Sequence, residues 1–144
     1  MHALLHVEDE DAMAVAFREA VDEAGLEVLL CRVSDGKAAL EYLRRAGTYA
    51  ASKRPDVVFL DLNMPMVDGW QVLTAMRADD SLRPIPVVIL TTSSRLADKE
   101  RAYALGAQHY LTKPTTFTGL VDEIRSAYRK VVTLNNSSAT AGHA

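Results

Sequence analysis

Short apolar runs and amphipathic segments alternate five times along this chain, and that alternation most constrains its fold. The apolar runs predict five strands, at 3–7, 28–33, 57–60, 87–90 and 109–111. The third and fourth runs are continuously apolar, which is typical of parallel strands buried on both faces. Helical spacing in the segments between the runs predicts crossover helices. Right-handed crossovers then predict an α/β fold with a parallel sheet between two layers of helices.

Four of the five predicted helices begin or end at residues that commonly start or stop a helix. The first ends near Gly25, a good C-terminal stop, and the third starts near Gly69 after a turn. The fourth takes Ser94 as its N-cap and ends near 105, and the fifth follows 115–116. Strands and helices together predict a single domain over 1–132.

The rest of the composition narrows the class of protein. The 144 residues carry a net charge of -3 with no basic stripe, which argues against a nucleic-acid surface. No apolar stretch approaches the roughly 18 residues of a membrane span. The single cysteine, Cys31, excludes an internal disulfide and predicts a reducing, cytoplasmic setting. The small, polar segment 133–144 predicts a disordered C-terminal tail.

Acidic residues follow two of the predicted strands. Glu8 and Asp9 come after the first run, and Asp61 comes directly after the third. Because the carboxyl ends of parallel strands meet at one edge of the sheet, these carboxylates should lie close together. Two such charges about 4 Å apart repel by roughly 4 kcal/mol at an effective dielectric near 20, so the cluster needs a cation or one acid must stay protonated. Oxygen ligands favour Mg²⁺ or Mn²⁺ over Zn²⁺.

Two further polar residues belong to the same predicted edge. Thr91 ends the fourth run and Lys113 follows the fifth. Alone, each has an ordinary alternative, a strand-end threonine or a solvated lysine. Beside three acids, a hydroxyl and an amine favour a site for a phosphoryl group. Position also predicts a cis peptide between Lys113 and Pro114. The four histidines are too far apart in the predicted layout for a metal or phosphohistidine role.

In order and spacing, these residues resemble the receiver domain of bacterial two-component response regulators over about 3–131. The matching pieces are 7–9, 60–65, 68–69, 90–92, 106–107, Tyr110 and 113–114. The resemblance implies a flavodoxin-like receiver fold, with five parallel strands in the order 2-1-3-4-5 and five helices. It also implies a signalling domain rather than an enzyme, acting through partner binding or phosphorelay.

The resemblance assigns roles position by position. Asp61 corresponds to the phosphoryl acceptor, which takes the group from a sensor histidine kinase. Asp9 corresponds to a direct Mg²⁺ ligand, Glu8 to a ligand acting through water, and Asn63 to a ligand through its backbone carbonyl. Thr91 corresponds to a threonine that moves with the phosphoryl group.

Lys113 completes the phosphoryl-binding pair with Thr91 in this resemblance. Tyr110 corresponds to an aromatic residue that turns inward when the threonine moves. The movement would remodel the surface formed by the fourth helix, the fifth strand and the fifth helix.

A narrower resemblance is to stand-alone receivers that partner bacterial phytochrome kinases. It rests on the segments 44–56, 82–88 and 90–94. It implies a bacteriophytochrome as the kinase and a homodimer through the fourth-helix to fifth-helix face. Glu10 departs from the pattern, since many such relatives carry an uncharged residue there.

Other functions remain open from the residues alone. A Mg²⁺-dependent phosphohydrolase would use Asp61 as nucleophile, but a second acid is expected where Asn63 stands. A flavodoxin-like cofactor binder would need a phosphate loop after Val7, where the acidic run 8–11 would repel phosphate. A phosphate sink that drains a kinase is not separable from a signalling module on these grounds.

Overall fold

The structure is a computed structural model that describes the backbone of residues 1–143 and the side chains of residues 1–132. Strands and helices alternate as predicted. In chain order they are β1 (His2–Val7), α1 (Asp11–Glu23), β2 (Val28–Val33), α2 (Gly36–Leu43), a short 3₁₀ helix (Gly47–Tyr49), β3 (Val57–Leu60), α3 (Gly69–Ala78), β4 (Val87–Thr91), α4 (Leu96–Ala104), β5 (His109–Thr112) and α5 (Phe117–His143).

All five strands pair in parallel in the order β2-β1-β3-β4-β5, which confirms the predicted topology. The strand order reverses between β1 and β3, because the chain moves out to β2 first and then crosses back. In open α/β sheets, ligands bind at this reversal, beside the carboxyl ends of the strands. Glu8 and Asp61 follow the two strands that flank it.

The sheet separates two hydrophobic cores, because neighbouring residues of a strand point to opposite faces. On one face, Leu5 of β1 packs with residues of α2, α3 and α4, including Leu73. On the other face, Leu4 packs with α1 and α5, through Phe17 and Ile124. Both faces of the central strands are therefore covered, which explains why their sequences are continuously apolar.

Side-chain caps start two of the helices. Asp35 accepts a hydrogen bond from the amide of Ala38 at 2.7 Å at the start of α2. At the start of α3, Asp68 and Gln71 form a reciprocal capping box, with both bonds at 2.9 Å. Such caps satisfy amides that would otherwise lack a partner in the first helical turn.

Two local expectations differ from the structure. The N-cap of α4 is Arg95, without a side-chain hydrogen bond, rather than Ser94. The hydroxyl of Ser93 accepts from the Arg95 amide at 3.3 Å, and the N-cap of α4 lies one residue later than predicted. The peptide between Lys113 and Pro114 is trans, so the cis prediction is wrong.

The fifth helix is longer than expected, since its backbone continues to His143. Side chains from 133 onward and the whole of residue 144 lie outside the described part of the chain. A disordered tail over 133–144 stays a prediction. Within the described residues, no helix combines the length and the apolar character needed to cross a bilayer.

Candidate functional site

The acidic residues and their predicted partners meet at the carboxyl edge of the sheet. Glu8 is 0 % exposed, Asp61 4 % and Thr91 0 %, whereas Asp9 is exposed. One carboxylate oxygen from each of the three acids lies within 4.8 Å of the others. Like charges this close, two of them shielded from water, need a compensating cation or the protonation of one acid. The structure thus brings together the three acids that the sequence singled out.

Lys113 supplies part of that compensation. Its ammonium lies 2.8 Å from Glu8 Oε1 and 3.2 Å from Asp61 Oδ2. Burial alone would lower the pKa of Lys113, but its hydrogen bond with Glu8 and the charge of Asp61 outweigh burial and raise it. The amine therefore stays charged at neutral pH.

Glu8 is the acid most affected by its surroundings. Burial raises the pKa of Glu8 to about 7, although the hydrogen bond from Lys113 opposes that shift. The nearby charge of Asp61 adds to the increase. One amine is thus not enough to hold both buried carboxylates ionised, and a divalent cation would complete the charge balance.

The residues around Asp61 connect it to neighbouring strands. Its Oδ1 accepts from the amide of Asn63 at 3.1 Å, and its own amide donates to the carbonyl of Val7 at 3.1 Å. The Asn63 side-chain amide donates to the hydroxyl of Thr91 at 3.2 Å. The hydroxyl of Thr91 therefore lies beside the loop that follows Asp61, as the sequence predicts.

Two glycines allow the loop after β3 to lie close to its neighbours. A Cβ on Gly69 would clash with the backbone of Asp61 and would come within 2.6 Å of the Cα of Leu62. A Cβ on Gly36 would clash with the backbone carbonyl of Val67. The loop that carries Asn63 is thereby held between the starts of α2 and α3.

Tyr110 lies near the site but does not contact the acids in the hydrogen bonds of the described residues. Its ring is buried, at 7 % exposure, and its hydroxyl donates to the carbonyl of Ser93 at 3.0 Å. Thr112 donates to the same carbonyl at 3.1 Å. Both contacts connect β5 to the segment between Thr91 and α4.

His6 lies in the core rather than in a ligand set. It is 2 % exposed and stacks on Phe17 with ring centroids 3.8 Å apart. Burial lowers the pKa of His6 to about 3, and the charges of Lys113 and Arg32 add to the effect. A neutral ring stacked on Phe17 makes His6 part of the hydrophobic packing between β1 and α1.

Sequence reasoning missed Arg32. Its Nε donates to the carbonyl of Glu8 at 2.8 Å and its Nη1 lies 2.9 Å from Asp11 Oδ1. The available signal was a charged residue inside the otherwise apolar run 28–33. It also missed the stacking of the Arg101 guanidinium on Trp70, 4.1 Å from the ring centroid.

Comparison with known protein families matches residues 4–125 to the response regulator receiver domain. The chain belongs to this family. A receiver domain is the signalling part of a two-component system and is phosphorylated on an aspartate. The acidic cluster matches the divalent-metal site that receiver domains carry.

Two curated relatives resemble this receiver domain along most of their length. One is a probable methanogenesis regulatory protein, FilR2, of Methanothrix harundinacea, 42% identical over 125 residues, which cover 85% of this chain and 80% of the relative. The other is the response regulator Rcp1 of a Synechocystis species, 37% identical over 134 residues, which cover 91% of each chain.

Solved structures resemble the receiver domain equally well. The phosphorylated cyanobacterial phytochrome response regulator RcpA is 35% identical, with a TM-score of 0.83 over 90% of this chain and 93% of that one. The Mn²⁺-bound form of Rcp1 is 33% identical, with a TM-score of 0.82 and the same coverage. RPA3017, from red light signalling in R. palustris, is 32% identical, with a TM-score of 0.84 over 90% and 92%.

Proposed function

We propose that Asp61 is the phosphorylated aspartate and that it takes the phosphoryl group from the phosphohistidine of a sensor histidine kinase. The observation that carries the proposal is the position of its Oδ2, 3.2 Å from Lys113 Nζ and inside a cluster of three carboxylates. An Asp61 oxygen attacks the phosphorus, a P–O bond forms, and the P–N bond to the kinase histidine breaks. The chemistry needs little beyond positioning and charge compensation.

The metal in this proposal is Mg²⁺. Side chains of Asp9 and Asp61 and the backbone carbonyl of Asn63 would hold it, with Glu8 acting through water. All of these donors are oxygens, which suits a hard divalent cation. When bound, the ion would neutralise charge on the phosphoryl oxygens.

Lys113 and Thr91 bind the phosphoryl group in this proposal. Lys113 is charged and already contacts Asp61, so its ammonium needs only a small shift to pair with a phosphoryl oxygen. Thr91 must exchange its hydrogen bond from Asn63 for one to the phosphoryl group. Tyr110 then responds through the segment 91–93, which shifts the population between two surface arrangements.

The partner in this proposal is a histidine kinase of the phytochrome class. The support is the likeness to RcpA and Rcp1 and to a regulator from red light signalling. Phosphotransfer from a panel of histidine kinases of the same genome tests it. Preferred transfer from a phytochrome kinase is expected, and preference for another kinase would contradict it.

The domain acts as a signalling module rather than a phosphohydrolase in this proposal. An enzyme of that class would need a general acid two residues after its nucleophile. The residue there is Asn63, whose side-chain amide donates to Thr91 and has no acidic proton to give a leaving group.

Labelling with acetyl phosphate and Mg²⁺ tests the acceptor. Intact-mass spectrometry is expected to find one phosphoryl group on the native chain and none on Asp61→Asn. The matched control, Asp80→Asn, changes an exposed carboxylate that pairs with Arg83 and should be labelled like the native chain. Undiminished labelling of Asp61→Asn would remove Asp61 from this role.

A further inference from the structure

We propose that Arg32 is a positioning residue for the metal site: it holds the loop after β1 so that Glu8 and Asp9 face the cation. The proposal rests on the function proposed above, since it concerns the same divalent-metal site. It adds a residue from β2, a strand that contributes none of the acids.

Arg32 contacts both ends of the acidic loop. In the sheet it lies opposite His6 of β1, close to where that strand ends. Its Nε donates to the Glu8 carbonyl at 2.8 Å, and its Nη1 lies 2.9 Å from the carboxylate of Asp11, the first residue of α1. One guanidinium therefore spans the turn that contains Asp9.

The hydrogen bond from Arg32 fixes the plane of the peptide that joins Glu8 to Asp9. The Glu8 amide donates to the carbonyl of Val33 at 3.0 Å, so β2 holds the nitrogen side of this residue through its backbone. Its carbonyl is held by the side chain of Arg32. Because a peptide unit is planar, fixing the Glu8 carbonyl also fixes the direction in which the chain enters Asp9.

Stability alone does not account for this arginine. Its side chain is only 25 % exposed, but Asp11 is 90 % exposed, and ion pairs with such exposed partners contribute little. Arg32 Nη2 is buried and has no hydrogen-bond partner among the described residues. A buried donor without a partner costs free energy. The main favourable contact of the Arg32 guanidinium is therefore its hydrogen bond to the Glu8 carbonyl.

Charge and positioning predict opposite effects of removing Arg32. On charge alone, loss of a cation from the acidic run 8–11 would tighten the binding of a divalent ion. If Arg32 positions the loop, its loss lets the Glu8–Asp9 peptide rotate and weakens binding. Residues that orient metal ligands typically contribute about 10- to 100-fold to affinity.

Isothermal titration calorimetry with Mg²⁺ distinguishes the charge effect of Arg32 from its positioning effect. Arg32→Met keeps the aliphatic stem, and its dissociation constant is expected to rise about tenfold. The matched control, Arg18→Met, removes an exposed cation of α1 without touching Glu8 and should bind as tightly as the native chain, or slightly more tightly. Unchanged or tighter binding by Arg32→Met would overturn the proposal.

Arg32→Lys provides a second variant should Arg32→Met fold poorly. It keeps the charge but loses the planar fork that reaches Glu8 and Asp11 together, so weaker binding is expected again. Native affinity in this variant would mean that only the charge matters.

The Mg²⁺ dependence of acetyl phosphate labelling gives a readout that general destabilisation would not reproduce. Arg32→Met should need about tenfold more Mg²⁺ for half-maximal labelling and reach the native rate at saturation. A lower saturated rate with an unchanged midpoint would contradict the positioning role. If the native chain bound no Mg²⁺, the proposed function itself would fail; native binding matched by Arg32→Met would defeat only the role of Arg32.

Discussion

At the residue scale, burial and neighbouring charges together set the protonation states of the ionisable groups in the site. Lys113 and Glu8 are both removed from water, yet Lys113 keeps its charge because two carboxylates face it. Glu8 has only one amine beside it, and its pKa rises to about 7. Loss of hydration opposes both charges: the facing carboxylates outweigh it at Lys113, whereas at Glu8 burial outweighs the single amine and raises the pKa. A divalent cation would oppose the effect at Glu8.

His6 gives a residue-scale prediction for stability. Burial lowers the pKa of His6 from 6.5 to about 3, so the unfolded chain binds its proton first as the pH falls. The stabilisation from neutral His6 is complete above pH 6.5 and is lost as the pH falls toward 3. Between pH 7 and pH 5 the native chain should lose about 2 kcal/mol more than His6→Leu.

Urea unfolding in the presence of EDTA measures that difference. The loss of ring stacking on Phe17 lowers the stability of His6→Leu at both pH values, and it cancels in the comparison. Parallel pH dependence in the two proteins would show that His6 does not titrate in this range on unfolding.

At the element scale, the strands and most helices could be predicted because their patterns are local. The apolar runs match all five strands to within about two residues, and Gly69 starts α3 as expected. The start of α4 was placed wrongly, since Ser93, Ser94 and Arg95 compete there and propensity does not rank them. Tertiary contacts decide, because the Ser93 hydroxyl also donates to Asp98 at 2.6 Å.

Gly36 gives an element-scale prediction. Its missing Cβ lets the start of α2 lie against the backbone of Val67, in the loop that carries Asn63. Gly36→Ala should lower the free energy of unfolding by about 1–3 kcal/mol, because a backbone carbonyl cannot move aside cheaply. Chemical unfolding of the native chain and of Gly36→Ala measures the difference in the free energy of unfolding.

Gly119→Ala is the matched control for Gly36→Ala. A Cβ there would meet the Thr116 hydroxyl at 2.9 Å and Pro114 Cβ at 3.1 Å, so it would crowd side chains rather than backbone. Since alanine also favours helix by about 1 kcal/mol, the net change should stay within about 1 kcal/mol of the native value. Equal losses in the two variants would argue against backbone crowding at Gly36.

At the scale of the whole molecule, three exposed apolar side chains lie on α4 and at the start of α5. Leu96 and Tyr103 of α4 are 67 % and 42 % exposed, and Phe117 at the start of α5 is 45 % exposed. Residues seven apart lie on the same side of a helix, so Leu96 and Tyr103 share one stripe. Helix α4 is part of the surface that the sequence predicts as a homodimer interface, so we expect this stripe to contribute to it.

Sedimentation velocity tests that interface. The native chain is expected to self-associate with increasing concentration. The double variant that combines Leu96→Asp and Tyr103→Asp is expected to remain monomeric, since burying carboxylates without partners opposes association. Val15→Asp changes an equally exposed apolar residue of α1 and should leave association unchanged. A native chain that stays monomeric at high concentration, with and without beryllofluoride, would defeat the interface.

The sequence by itself determined the layered sheet and the placing of Glu8, Asp9, Asp61, Thr91 and Lys113 at one edge. Both follow from short-range periodicity and from the geometry of parallel strands, which brings every strand end to the same side. Only the tertiary structure decided that Arg32 holds the Glu8 carbonyl and that Tyr110 bonds to Ser93. Those contacts join residues 17 to 24 positions apart, so they depend on strand register and side-chain reach, which local patterns do not encode.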